Sequence, residues 1–422
     1  MKKASSAGLI YTITFMISAF LGSRVFALDL GVVVSPVRLV LLLSPFFFFR
    51  IPREKVALGK KSEVYKFLLF WIIYSILLIV FVREIGSFIE HLFYLVMALI
   101  IAFFASVYLT DEKDYFTILK GFEFSAIIFA IIGVYEIITG DYRFVVEDSL
   151  DLYQNTSMAL STIGVRIPIS AFGNPNTFGF FLLFAFCVSL SLVRLKKKLS
   201  GKALSVVCSI VFFILVIATQ SRACFISLLI GLFVLTGLDF HKKKTSVKVF
   251  LIITLIASLS YIISWLSANK ELYEALMTID LSGDADGSDR IRMNLISNGM
   301  KILSDHYFLG AGLGQIEYYM AQPGMAWTRD ITNIHNWWIE ILVSSGIVVF
   351  VYYVIMYIKK IIFFFKKAMA PNVTETGAVY AKLGASMLSV FLIGAMSASS
   401  IFCVEWIWAM FVFWMLLPRI IK

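Results

Sequence analysis

Arg222 stands in Thr219-Gln220-Ser221-Arg222-Ala223, a polar break between two short apolar runs. A guanidinium at such a tip can snorkel to water, or it can grip an anion at lipid-headgroup depth, where planar, permanently charged Arg suits phosphate better than Lys. Asp289-Arg290-Ile291-Arg292 offers two more guanidiniums, followed by an amphipathic stretch from Ile291 to Leu303 and by Gly310-Ala311-Gly312-Leu313-Gly314. His335, one of four histidines, opens His335-Asn336-Trp337-Trp338 at the head of another apolar run. An imidazole there is either an interfacial polar cap or a group that takes a proton near neutral pH, as a general base must. Arg166-Ile167-Pro168 and Gly173-Asn174-Pro175-Asn176 precede a further apolar run, and the two Asn side chains suit helix capping or hydrogen bonds to sugar hydroxyls.

Other features carry less. No strand precedes the Gly-rich piece, so it is not a dinucleotide fingerprint and reads as a turn that folds the loop back onto the membrane. Residues 282 to 293 imitate a calcium loop, but Ser282 and Met293 occupy its first and last positions, which excludes a dedicated site. Cys187, Cys208, Cys224 and Cys403 lack metal-ligand spacing and read as small packing residues. His91, His241 and His306 have weaker claims to chemistry than His335, and no metal or other cofactor is expected.

The elements that position these residues must be membrane helices. The chain has 422 residues, 60% hydrophobic and 15% charged, with a mean hydropathy of +0.89. A span needs about 20 apolar residues. That composition excludes a soluble enzyme on one anchor, and the unbroken apolar runs exclude an outer-membrane barrel. Apolar runs predict twelve spans, near 6–23, 30–49, 67–83, 91–109, 121–138, 173–193, 203–220, 222–239, 249–267, 336–357, 383–399 and 401–418. With the N-terminus inside, most of the 37 Lys and Arg fall on short inner segments, so both termini are expected in the cytoplasm. The net charge of +10 is then an orientation signal and not a sign of nucleic-acid binding. Two long connections, 139–172 and 267–334, are expected outside, and long loops of this kind are usually functional or disordered. The chain divides into N-terminal helices (1–138), a core with the first outer loop and the Ser-Arg hairpin (139–266), the large outer loop (267–334) and C-terminal helices (335–422). Arg38, between Pro36 and Pro45 in the second span, is an intramembrane charge that needs a partner or a water-filled cavity.

The ordered set Gly173-Asn174-Pro175-Asn176, Ser221-Arg222-Ala223, Asp289-Arg290 with Gly310-Ala311-Gly312, and His335-Asn336 resembles the O-antigen ligase and polymerase superfamily of WaaL-like and Wzy-like proteins. The likeness is carried by residues 160 to 350, together with the twelve-span layout and a large outer loop before the tenth span. It implies an all-α polytopic fold of the C-type glycosyltransferase kind. It also implies metal-independent, inverting transfer of a glycan held on a polyprenyl pyrophosphate. Arg222 and Arg290 would match the two family arginines, and His335 the family histidine. Arg292 competes with Arg290, because Asn294 to Asn298 stand where a Trp is common after the second arginine.

The implied chemistry is coherent. Displacing a pyrophosphate from an anomeric carbon builds negative charge that two guanidiniums can stabilise, while His335 deprotonates the acceptor hydroxyl. Arg166, Asn174, Asn176 and Asn336 are the accompanying substrate-binding candidates. The leading expectation is a polymerase of lipid-linked repeat units for a surface polysaccharide such as a capsule, in the cytoplasmic membrane of a bacterium. Its partners would be the polyprenyl-pyrophosphate-linked glycan, a glycan acceptor and the bilayer. A ligase that moves a finished glycan to another acceptor shares the same motifs. A precursor transporter or flippase is the different-class alternative, favoured by Arg38 and the neighbouring prolines.

Overall fold

The computed structural model describes residues 6–22, 26, 28–29, 33–144, 165–238, 288–398 and 401–422. The ninth expected span (249–267), most of the acidic stretch at 280–289, the calcium-like segment up to 287 and His241 lie outside the described residues.

Helices dominate what is described. They are α1 (Ser6–Leu21), α2 (Pro36–Leu42), α3 (Ser44–Phe48), α4 (Arg53–Lys61), α5 (Glu63–Leu77), α6 (Ile85–Tyr108), α7 (Glu112–Thr139) and α8 (Pro175–Leu195). The chain continues with α9 (Leu199–Ala218), α10 (Arg222–Gly237), α11 (Ser288–Asp305), α12 (Ile316–Met320), α13 (Trp337–Met369), α14 (Glu375–Gly394) and α15 (Glu405–Leu416). Leu28–Asp29 and Val33–Val34 form a minimal antiparallel pair before α2. Among the described residues, seven helical stretches are long and apolar enough to cross a membrane: α5 with its 3₁₀ extension to Phe81, α6, α7, α8, α9, α13 and α14. Helices α1 and α10 are shorter apolar helices.

The second expected span is not one helix. Pro36 and Pro45 each sit in the first turn of a short helix, so residues 36–48 form two pieces of seven and five residues. Proline supplies no amide for the preceding turn, which is why it starts a helix more readily than it continues one. Arg38 lies in the first piece, its guanidinium 5.6 Å from the centre of the Phe93 ring.

Every residue of α15 is buried, which makes this helix the post around which the others gather. Its Trp406 ring lies 5.1 Å from Phe181 and 5.5 Å from Phe184 of α8, and Trp408 lies 5.8 Å from Trp71 of α5. Lipid supplies no hydrophobic drive between helices, so close aromatic packing of this kind must carry much of the cohesion. At one end of the bundle lie α4, the segment Arg194–Lys198, Lys366–Lys367 and the C-terminus. There Lys360 pairs with Glu63 at 2.9 Å, Arg419 Nη1 donates to the Ser106 carbonyl at 2.9 Å, and Lys196 bridges Glu123 and Ser205. At the opposite end lie the α5–α6 turn, the end of α7, the start of α8, the α9–α10 hairpin tip and the start of α13. All described candidate site residues belong to that second end.

Helix α13 is broken at Gly346 (φ 75°, ψ 174°). The break frees carbonyls that an apolar surround cannot satisfy. The loop after α11 supplies the partners: Ala311 N donates to Val343 O at 2.9 Å, Gly312 N to Ser344 O at 3.0 Å, and Ile347 N to Phe308 O at 3.1 Å. Gly310 (φ 104°) and Gly346 stand back to back. A Cβ on Gly346 would come 2.1 Å from Leu309 O, and one on Gly310 would come 2.6 Å from Gly346 N. The Gly-rich motif is thus a seam between two backbones and not a loose turn.

The same loop is tied to the N-terminal helices. Gln315, fully buried, accepts from the Arg83 and Glu84 amides at 2.7 and 2.9 Å, while the Tyr319 and Tyr74 hydroxyls donate to Phe81 O and Leu309 O. Gly346→Ala is expected to lower the unfolding midpoint in detergent by several degrees, since overlap with fixed backbone and a strained φ together cost about 2 kcal/mol or more. Gly86→Ala, where an added Cβ meets nothing within 4 Å, is the control expected to hold its midpoint.

Candidate functional site

Two clusters of the expected residues form at the end opposite the basic one. In the first, Asn174 caps α8: its Oδ1 accepts from the Asn176 amide at 2.8 Å, and Pro175 occupies the first turn, where its missing N–H costs nothing. Ser221 caps α10 in the same way, its Oγ accepting from Cys224 N at 3.4 Å, so Arg222 becomes the first residue of that helix. The two helix starts touch. The Cys224 thiol donates to Asn176 O at 3.5 Å, and a Cβ on Gly179 would meet Cys224 Sγ and Thr219 Oγ1 at 3.0 Å. A half-buried Arg222 at the positive end of α10, beside the positive end of α8, makes this corner suited to an anion.

The second cluster surrounds His335, which takes a left-handed conformation (φ 53°) with its amide donating to Asn333 Oδ1 at 2.7 Å. Asn336 is consumed by capping: its Oδ1 accepts from Trp338 N and Ile339 N at 3.1 and 3.3 Å. Trp337 N donates to Ala395 O at 3.0 Å, fixing the start of α13 against the end of α14. Helix α11 covers this turn through a separate apolar cluster, in which Ile291 and Leu295 join Ile334 and Val343. Arg292 lies within electrostatic reach of His335. Burial first, and the Arg292 guanidinium second, push the His335 imidazole down from 6.5 to about 4, so it is neutral and able to accept a proton.

The helical phase separates the competing arginines. Arg290 and Arg292 are two residues apart, so they face different sides of α11; Arg290 is exposed and Arg292 half-buried. Asn294 and Asn298, which stand where an aromatic residue was expected, hold the segment from Ala326 to Trp327 through three hydrogen bonds of 2.8 Å.

Arg166 belongs to neither cluster. Its guanidinium closes over the C-terminal end of α7, where a Cβ on Gly140 would strike it, and Nη1 reaches Ile138 O at 3.4 Å. Glu340 does not orient the imidazole; it faces a different space. That space is a cavity of about 180 Å³ lined by Ser87, Glu90, His91, Glu317, Asn333, Glu340, Ser344, Phe402 and Cys403, among others. None of Arg166, Arg222, Arg290 and Arg292 is among the described residues that line it. Glu90, Glu317 and Gln315 escaped sequence reading because the residues they meet lie hundreds of positions away, although a carboxylate next to His91 at the head of an apolar run was a usable signal. Among the described residues, no group of three or more His, Cys, Asp and Glu is arranged to hold a metal ion.

Residues 204–354 match a family model described as O-antigen ligase, a stretch that contains Arg222, Arg290, Arg292 and His335. The teichuronic acid biosynthesis protein TuaE of Bacillus subtilis (strain 168) is 24% identical over 342 residues, which cover 79% of this chain and 67% of that protein. Both likenesses support the O-antigen ligase/polymerase superfamily for this chain.

Proposed function

We propose that this protein is a membrane glycosyltransferase of cell-surface polysaccharide biosynthesis that polymerises oligosaccharide repeat units carried on polyprenyl pyrophosphate. The observation that carries the reading is the pairing of a neutral, half-buried His335 with Arg292 at the end of the bundle away from the basic residues. The positive-inside rule puts that end outside and both termini in the cytoplasm, in a bacterial cytoplasmic membrane. The family description and the name of the Bacillus relative both point to surface-glycan assembly.

The residues divide the reaction as follows. The acceptor hydroxyl oxygen attacks the anomeric carbon of the donor sugar from the face opposite the diphosphate, and the anomeric configuration inverts. The bond from that carbon to the diphosphate oxygen breaks, and the diphosphate leaves with the electron pair. Arg292 and Arg222 stabilise that growing negative charge. The hydroxyl proton passes to His335. Burial chiefly, and the Arg292 charge second, keep the imidazole neutral until the acceptor's proton reaches it.

A second reading has a specific observation behind it, since the matching family is described as O-antigen ligase. A ligase would use the same residues on a different acceptor. A carrier is the weaker reading: at the break in α13 the Val343 and Ser344 carbonyls are engaged by the Ala311 and Gly312 amides and not turned toward a transported ion.

In proteoliposomes supplied only with lipid-linked repeat units, the expected product is a ladder; a single transfer that needs an added second acceptor would establish the ligase instead. His335→Ala and Arg292→Ala should each slow bond formation by about 100-fold or more at normal protein level. Arg290→Ala should change it little. A fall in the Arg290 variant with full activity in the Arg292 variant would reverse that assignment. The histidine also has a stability signature. An unfolded imidazole binds its proton near 6.5 and the native one only near 4, so stability falls as pH drops from about 6.5 to about 4. Chemical denaturation across that window should show a shallower slope in His335→Asn.

A further inference from the structure

We infer that the cavity between α6, α12 and the start of α13 is the binding site for the acceptor sugar, and that it takes a neutral or amino-bearing residue rich in hydrogen-bond donors. This rests on the glycosyl-transfer reading above.

Three observations converge on the cavity. Glu90, Glu317 and Glu340 all line it, and none of the three carboxylates has a hydrogen-bond or ion-pair partner among the described residues. Glu340 lies deepest, surrounded by protein and meeting open space along the cavity, whereas Glu90 and Glu317 are exposed at its rim. A buried carboxylate without donors is costly, and its cost falls when a ligand brings hydroxyl or ammonium groups to it. Secondly, the wall includes an aromatic face: the Phe402 and His91 rings lie 5.2 Å apart and are inclined by 30°. Such a face suits the C–H side of a pyranose, with Ser87, Ser344 and Asn333 adding polar edges. Thirdly, the described residues that line the cavity include three carboxylates and no Lys or Arg, so their charge repels a diphosphate or a carboxylate-bearing sugar.

Position completes the argument. Asn333 and Ile334 belong to the cavity wall, His335 follows them in the chain, and Arg292 lies close to that imidazole. The base therefore sits on a seam between a cationic region fitted to the leaving group and an anionic one fitted to the attacking sugar. An acceptor held by Glu340 and Glu317 would direct one hydroxyl toward that seam while its other hydroxyls donate to the carboxylates.

The test uses the full-length protein and two probes from the source cells: the lipid-linked repeat unit as donor, and the same repeat released from its carrier by mild acid as added acceptor. In proteoliposomes, Glu317→Gln should raise the acceptor concentration for half-maximal rate by about tenfold or more, the loss of one charge-assisted hydrogen bond, with the donor value little changed. Glu340→Gln should do the same more strongly, and the exposed Glu317 and Glu90 variants keep the test alive if the buried one does not fold. An unchanged acceptor value, or donor and acceptor values that rise together, overturns the inference. Calorimetric titration of the released repeat into detergent-purified protein separates the two readings. If the wild type forms no glycosidic bond yet binds the glycan, and Glu317→Gln binds it at least about tenfold more weakly, the glycosyl-transfer reading fails and the sugar site stands. Equal affinity in wild type and Glu317→Gln overturns the site whatever the activity.

Discussion

A broken helix in an apolar surround must find partners for its freed carbonyls, and that requirement organises the site end of this protein. Gly346 interrupts α13, and the amides of Ala311 and Gly312 are drawn onto Val343 and Ser344. Water cannot substitute for them within a membrane, so the loop is fixed at that depth. Once Gly310 is locked against Gly346, the positions of α12, Gln315 and the turn around His335 follow. Backbone hydrogen bonding thus does much to set the turn that holds the imidazole.

Charge is arranged on top of that scaffold. Arg222 sits where two helix starts meet, Arg292 beside His335, and the unpartnered carboxylates on the other side of the histidine turn. The depressed imidazole is a direct result, since it feels burial and Arg292 together.

Much of this was legible in the sequence, because local chemistry decided it. The Asn174, Ser221 and Asn336 positions are helix caps whose neighbours are two or three residues away, and long apolar runs between them fold as helices. The second expected span was misjudged for a local reason too: hydropathy registers Leu39 and Phe46, while Pro36 and Pro45 decide the backbone. Other features depend on distant partners. That Arg292, half-buried, and not the exposed Arg290 bears on the His335 imidazole depends on the phase of α11. The Gly-rich motif looked like a flexible turn because its contact, Gly346, is far along the chain. Glu90 and Glu317 met across a cavity that no spacing rule encodes.

The N-terminal helices carry almost no recognisable motif, and it is natural to regard them as passive anchorage. The Gln315 side chain contradicts that view. It gathers two amides from the α5–α6 turn, and the Tyr319 and Tyr74 hydroxyls reach across the same boundary. The α5–α6 turn is thus the jig in which the loop after α11 is clamped, and because the jig is built from main-chain atoms that any side chain can accompany, it leaves no motif in the sequence.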